Sequence, residues 1–174
     1  MNSIAAARSI MVNAAPMNAD CGLYCGKACC QPDEDGQGGM YLFPGEEELI
    51  AYQSWAHVSD VIMPSSGRHV KLLACYAPCM REHRPLACMI FPLTPIIKNN
   101  KTDIRIDARG LSFCPIISRG LIGLRKAFIE ATRAAVKLIA MDSIGHSFLI
   151  DWQAEEAAFK SAVRDLNNII KQRL

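Results

Sequence analysis

At 174 residues, with 51% hydrophobic and 21% charged residues, the chain has the length and composition of one globular domain, which excludes a disordered or fibrous protein. A formal net charge of +2 is too small to draw in nucleic acid by charge alone. The longest apolar run, residues 86–97, is interrupted by Pro92 and Pro95 and is too short to span a bilayer. Neither nucleic acid nor a membrane is expected as a partner.

Residues 1–19 read as an arm or short helix. Arg8 and Asn13 interrupt the apolar run that a secretory signal would need, so no such signal is expected. The first cysteine group, Cys21 to Cys30, is followed by residues 31–39, an acidic, glycine-rich loop without the ligand spacing of a calcium loop. Residues 40–43 are a strand candidate. Glu46, Glu47 and Glu48 suit the positive end of a helix, which the spacing of Leu49, Ile50, Tyr52 and Trp55 extends to about His57. Residues 58–63 and 70–74 suggest two strands joined by a turn at 64–67.

Cys75, Cys79 and Cys88 form the second group, with Pro85 placed to open a short helix carrying Cys88. Pro92 and Pro95 stop that helix, Asn99-Asn100 marks a turn, and residues 103–107 alternate like an exposed strand. Leu121, Leu124, Phe128, Ala131, Ala135 and Leu138 then recur at helical spacing, with Gly145 at or past the helix end. Asp151 is placed to cap a second helix, with an apolar stripe at Ala158, Ala162, Leu166 and Ile169 or Ile170. The expected fold is α+β and mostly helical. Residues 20–174 form one domain, divided into a cysteine-rich half (20–118) and an antiparallel helix pair (119–174).

Four thiols within ten residues, answered by a second group 45 residues later, point to metal ligation. Thiolates are ligands for zinc and for iron–sulfur clusters, and several must converge on one centre. Without an export signal, a cysteine-dense chain is expected to be cytoplasmic, where thiols bind metal or do redox work more often than they form disulfides. A disulfide framework is the alternative, although a bridge between neighbouring Cys29 and Cys30 would be strained. On a helical turn, Cys21, Cys25 and Cys29 would share one face. The candidate ligands are Cys21, Cys25, Cys29, Cys30, Cys75, Cys79, Cys88 and Cys114. Eight thiols suffice for two four-sulfur sites, or for one site with spare cysteines. Cys114, followed by Pro115, also fits a simple buried thiol.

His83, between Cys79 and Cys88, is the histidine best placed to assist, and Arg84 can set a positive charge beside the thiolates. Arg119, Arg125, Lys126, Arg133 and Lys137 lie mostly off the apolar stripe and read as a solvated helix face. The chain has no Gly-x-Ser-x-Gly elbow, phosphate loop, dinucleotide fingerprint or His-Glu-x-x-His. No catalytic residue is therefore assigned.

Three stretches resemble the YkgJ-like family, a cysteine-rich zinc- or iron-chelating domain. They are the run ending in Cys29-Cys30, the segment Leu42-Phe43-Pro44-Gly45-Glu46-Glu47, and Arg84-Pro85-Leu86-Ala87-Cys88-Met89-Ile90-Phe91-Pro92. Together they cover roughly residues 20–95. The family places two residues between its first pair, whereas three lie between Cys21 and Cys25, and Met80-Arg81 replaces its usual Ile-Tyr. The resemblance implies a bound zinc or iron, as an ion or as an iron–sulfur cluster. It implies no reaction. The cysteine run is also similar to that of flagellin lysine methylases, which makes an enzyme one alternative, and a thiol redox protein is another.

Overall fold

The computed structural model describes residues 3–31, 39–50, 54–77 and 79–173. The fold is α+β with helix dominant, at 55% helix against 18% strand. In chain order the elements are α1 (Ser3–Met11), α2 (Gly22–Cys25), β1 (Met40–Tyr41), α3 (Glu47–Ile50), β2 (Ala56–Ile62) and β3 (His69–Cys75). Then come α4 (Leu86–Ile90), β4 (Leu93–Lys98), β5 (Lys101–Ile106), α5 (Lys126–Ala140) and α6 (Ser143–Arg173). Short 3₁₀ segments cover Ala28–Cys30, Arg81–His83, Ala108–Ser112 and Pro115–Gly123.

One antiparallel sheet has strand order β1-β3-β2, and a separate hairpin pairs β4 with β5. Asn99 and Asn100 make that hairpin turn with φ of 51° and 57°, the left-handed pair that a two-residue connection requires and that asparagine tolerates. The strand over 93–98 was not expected. Pro95 lies within it opposite Ile104, which an edge strand permits. The strand expected at 103–107 begins and ends earlier, at 101 and 106.

The core lies between α1, α4, α5 and the start of α6. Ile4, Ala7 and Met11 of α1 meet Phe128, Ala135, Val136 and Ile139 of α5 in one buried cluster. Of the two readings of this stretch, the structure shows the short helix: α1 supplies an inner layer, because its apolar side chains recur at helical spacing. Phe43 lies 5.0 Å from Phe148 and stacks on Trp152 at 5.8 Å. Trp152 Nε1 donates to Thr94 Oγ1 at 3.0 Å, which satisfies its one polar atom inside the core.

Several boundaries differ from those expected. The helix read over 46–57 is only α3, and residues 51–53 lie outside the described part. From Ala56 the chain is strand, since Ala56 pairs with Cys75 and Tyr76 N donates to Trp55 O. Sheet pairing overrode the helical spacing. Leu121 and Leu124 precede α5, whose buried side is Phe128, Thr132, Ala135, Val136 and Ile139. Gly145 ends nothing and sits inside α6. A Cβ there would come within 2.4 Å of Ile139 O, so glycine permits the close approach of the two helices. Asp151 is likewise interior to α6 and pairs with Arg68 rather than capping. The stripe expected at Ala158, Ala162, Leu166, Ile169 and Ile170 lies on α6 but is exposed. Among the described residues no helix is long and apolar enough to cross a membrane.

Candidate metal centre

All eight cysteines are free thiols. The first group is not one helical face. α2 stops at Gly26, and Gly26 and Lys27 follow each other in the left-handed region (φ 59° and 61°). The chain then starts a new turn, Ala28–Cys30. Cys21 and Cys25 remain on one turn, with Cys25 Sγ 3.9 Å from Cys21 O. Cys29 and Cys30 belong to the next, with their sulfurs 4.0 Å apart. Sulfurs bound tetrahedrally at about 2.3 Å stand about 3.8 Å from each other. This neighbouring pair is close to the spacing of two ligands on one ion.

The second group is placed by different means. Cys75 ends β3, where pairing with Ala56 locates it. Cys88 sits on α4, whose entry is held by a buried carboxylate. Glu46 Oε1 accepts from Leu86 N at 2.6 Å and from Arg8 Nη1, and its Oε2 accepts from Phe43 N at 3.2 Å. Arg8 also donates to Arg84 O at 2.7 Å and Glu82 O at 3.0 Å. Arg81 reaches the other way, donating to Val12 O at 2.6 Å and to Ala14 O. The loop between Cys79 and Cys88 is therefore fixed to α1 and the turn after it by charged hydrogen bonds.

These segments bring Cys29, Cys30, Cys75, Cys79 and Cys88 around one cavity of about 30 Å³, with Arg84 in its wall. That is space for a single ion or water. A neighbouring cavity of about 140 Å³ shares Cys29, Cys30, Cys79, Cys88 and Arg84 and adds Cys21, Asp20 and Lys27. Cys25 and Cys114 lie elsewhere, on an open groove with Tyr24 and Phe113. His83 is half-buried on its 3₁₀ turn and lines none of these spaces. Among the described residues, no three His, Cys, Asp or Glu side chains already stand at the spacing of a bound ion. The five sulfurs surround the space without converging on one point.

The electrostatics divide the thiols. Cys30 is lowered to about 6, first by the hydrogen bond from Cys29 and then by Arg84 and Lys27, against burial. Cys29 is raised because it keeps the proton of that bond. Burial, then the neighbouring Cys30 and Cys79, push Cys75 up to about 11. Cys88 is pushed well up, again by burial first; part of the residue faces the cavity while its sulfur is enclosed. Burial opposes the Arg84 charge, yet a hydrogen bond to Cys79 and the nearby thiols hold its value above the ordinary one. Burial also raises Cys114, although Ile116 and Ile117 N–H groups donate to its sulfur. The cavity thus offers one ready thiolate beside a fixed cation, with further thiols to be deprotonated by an incoming metal. The donor set is sulfur-only and suits zinc or iron.

Arg8, Glu46, Arg81 and Lys27 were not singled out from the sequence as parts of this site. Arg8 had a signal: it shares the i, i+3, i+4, i+7 stripe of Ile4, Ala7 and Met11, where a cation requires a buried partner. Glu46 was read as a first-turn acid, but its carboxylate turns inward to α4. Compared with known proteins, the chain matches no family model, no curated protein and no solved structure.

Proposed function

We propose that the protein holds a metal through thiolates drawn from Cys29, Cys30, Cys75, Cys79 and Cys88. The metal is zinc, or iron as an ion or in an iron–sulfur cluster. The supporting observation is that five thiols from separated parts of the chain line one ion-sized cavity beside Arg84. Arg84, hydrogen-bonded to Cys79, offsets the negative charge of a thiolate set. Cys21 lies at the margin, and Cys25 and Cys114 are supporting or separate thiols. This reading assigns no catalytic residue. A thiolate centre of this kind suits the reducing cytoplasm.

The test is metal analysis with a visible spectrum on anaerobically purified protein. Stoichiometric zinc gives a colourless protein, and an iron–sulfur cluster a brown, oxygen-sensitive one. Cys88→Ser is expected to lose the metal. If wild-type protein carried no stoichiometric metal and Cys88→Ser folded normally, the reading would fail. A thiol redox protein would instead keep its activity after chelation and change its thiol count on oxidation.

A further inference from the structure

Cys21, Cys25 and Cys114 lie outside the 30 Å³ cavity, and the fold groups them. Cys21 and Cys25 stand one helical turn apart, with Cys25 Sγ 3.9 Å from Cys21 O, so their side chains share a face. Cys25 and Cys114 line one open groove of about 370 Å³, completed by Tyr24, Phe113 and Ile117. Of the other thiols, Cys25 and then Cys114 bear most strongly on Cys21, which ties the three into one set. Cys21 also borders the 140 Å³ space, so it stands between this set and the enclosed thiols. Cys114 arrives from a segment that follows both sheets in the chain. Only the tertiary fold makes the grouping.

The surroundings of Cys114 are those of a ligand rather than of an inert thiol. Pro115 opens the 3₁₀ segment and has no N–H to offer. The next two N–H groups, of Ile116 and Ile117, donate to the Cys114 sulfur. Amide donors aimed at a sulfur favour the thiolate over the thiol, and the thiolate is the form that binds metal. Tyr24 on the groove is 67% exposed, so an ion can reach these thiols from solvent.

We propose that Cys21, Cys25 and Cys114 form a second metal site that takes one zinc ion, with its fourth position open to the groove. Three protein ligands and one exchangeable position are an established zinc arrangement, and the filled d shell of zinc imposes no geometry of its own. Zinc binds as the thiols release their protons to water. The sulfurs do not stand at bonded spacing. Closing them on an ion falls to α2, a single turn that Gly26 ends in the left-handed region. The site extends the proposed function and shares none of its five thiols. Being open to solvent, its ion exchanges faster than one in the enclosed cavity.

The test saturates the full chain with zinc in reductant without oxygen, desalts it and counts the metal. The wild type should carry one zinc more than Cys114→Ser, and Cys25→Ser should match Cys114→Ser. Both variants should keep the metal of the enclosed cavity and the helical circular dichroism of the wild type. A chromogenic chelator should draw this one zinc from the wild type in a fast phase that both variants lack. Equal zinc in the wild type and the variants overturns the proposal. So does loss of all metal from a folded Cys25→Ser or Cys114→Ser, since the thiols would then form a single centre. A wild type without a fast-released equivalent overturns it even where neither variant folds. Cys88→Ser separates the two readings, because it should lose the enclosed metal and keep the fast zinc. If Cys88→Ser keeps all its metal while Cys114→Ser loses one zinc, the reading of the enclosed cavity fails and this one stands.

Discussion

Around Phe43, Phe148 and Trp152 the chain closes over apolar side chains that are almost entirely removed from water. Around Arg84, close packing gives way to charged hydrogen bonds, short 3₁₀ turns and thiols that are mostly part-buried. The first region is held by packing, which is non-directional and tolerates small shifts. The second is held by directional contacts: Glu46 to Leu86 and Phe43, Arg8 to Glu82 and Arg84, and Arg81 to Val12 and Ala14. Directional contacts set where a sulfur sits without filling the space between sulfurs. The contrast explains how a cavity lined by thiols can persist beside a close-packed core.

The largest effect is expected where packing dominates. Phe148→Ala removes a fully buried ring that contacts Phe43 and Trp152 and should cost about 3–5 kcal/mol in urea unfolding. A loss under about 1 kcal/mol would show that the aromatic cluster does not anchor the core. Thiol reactivity in the remaining folded protein should barely change.

A smaller loss but a larger local change is expected from Glu46→Gln. Glutamine keeps one carbonyl acceptor, so one of the Leu86 and Phe43 N–H donors goes unmet and Arg8 faces a neutral amide. The stability loss should be about 1–3 kcal/mol. Alkylation of Cys88 should accelerate beyond what global unfolding explains, because the entry to α4 is loosened. Equal acceleration at Cys114 would mean that the effect is global.

The smallest and most specific effect is in pH. The ordinary thiol value is 9.0, and that of Cys30 falls to about 6 in the fold. Between these values the folded state holds fewer protons than the unfolded one, so stability of the metal-free protein rises with pH from about 6 to 9. Cys75, pushed up to about 11, acts with opposite sign: its contribution is intact below 9 and is lost as pH rises through 11. Iodoacetamide labelling followed by peptide mapping should find Cys30 reactive with a midpoint near pH 6, and Cys75 protected at neutral pH. Labelling of both at the same pH would remove the distinction between them.

Much of the fold was legible because local patterns agreed with it. The two strands around the 64–67 turn, the short helix carrying Cys88, the Asn99-Asn100 turn and the helical spacing from Phe128 onward all have local causes. What misled was a pattern with two physical outlets. The 46–57 stripe had helical spacing, but Ala56 and His57 are claimed by β3. Asp151 and Gly145 looked like helix punctuation, yet one pairs with Arg68 and the other permits contact with Ile139. In the candidate site, residue types and spacings identified the thiols and Arg84. They did not separate Cys25 from the other thiols, because that depends on the break at Gly26 and Lys27.

By itself the sequence determined the chemistry on offer: eight thiols in two groups and one outlier, a cation at Arg84, and enough apolar spacing to build helices around them. Residue identity and local periodicity are sufficient for that. Only the tertiary structure decided that Cys29 and Cys30 meet Cys75, Cys79 and Cys88 at one cavity, that Arg8 and Glu46 hold the loop between them, and that half of α6 remains uncovered. These outcomes depend on contacts between residues 38 to 76 positions apart, and no local pattern carries that information.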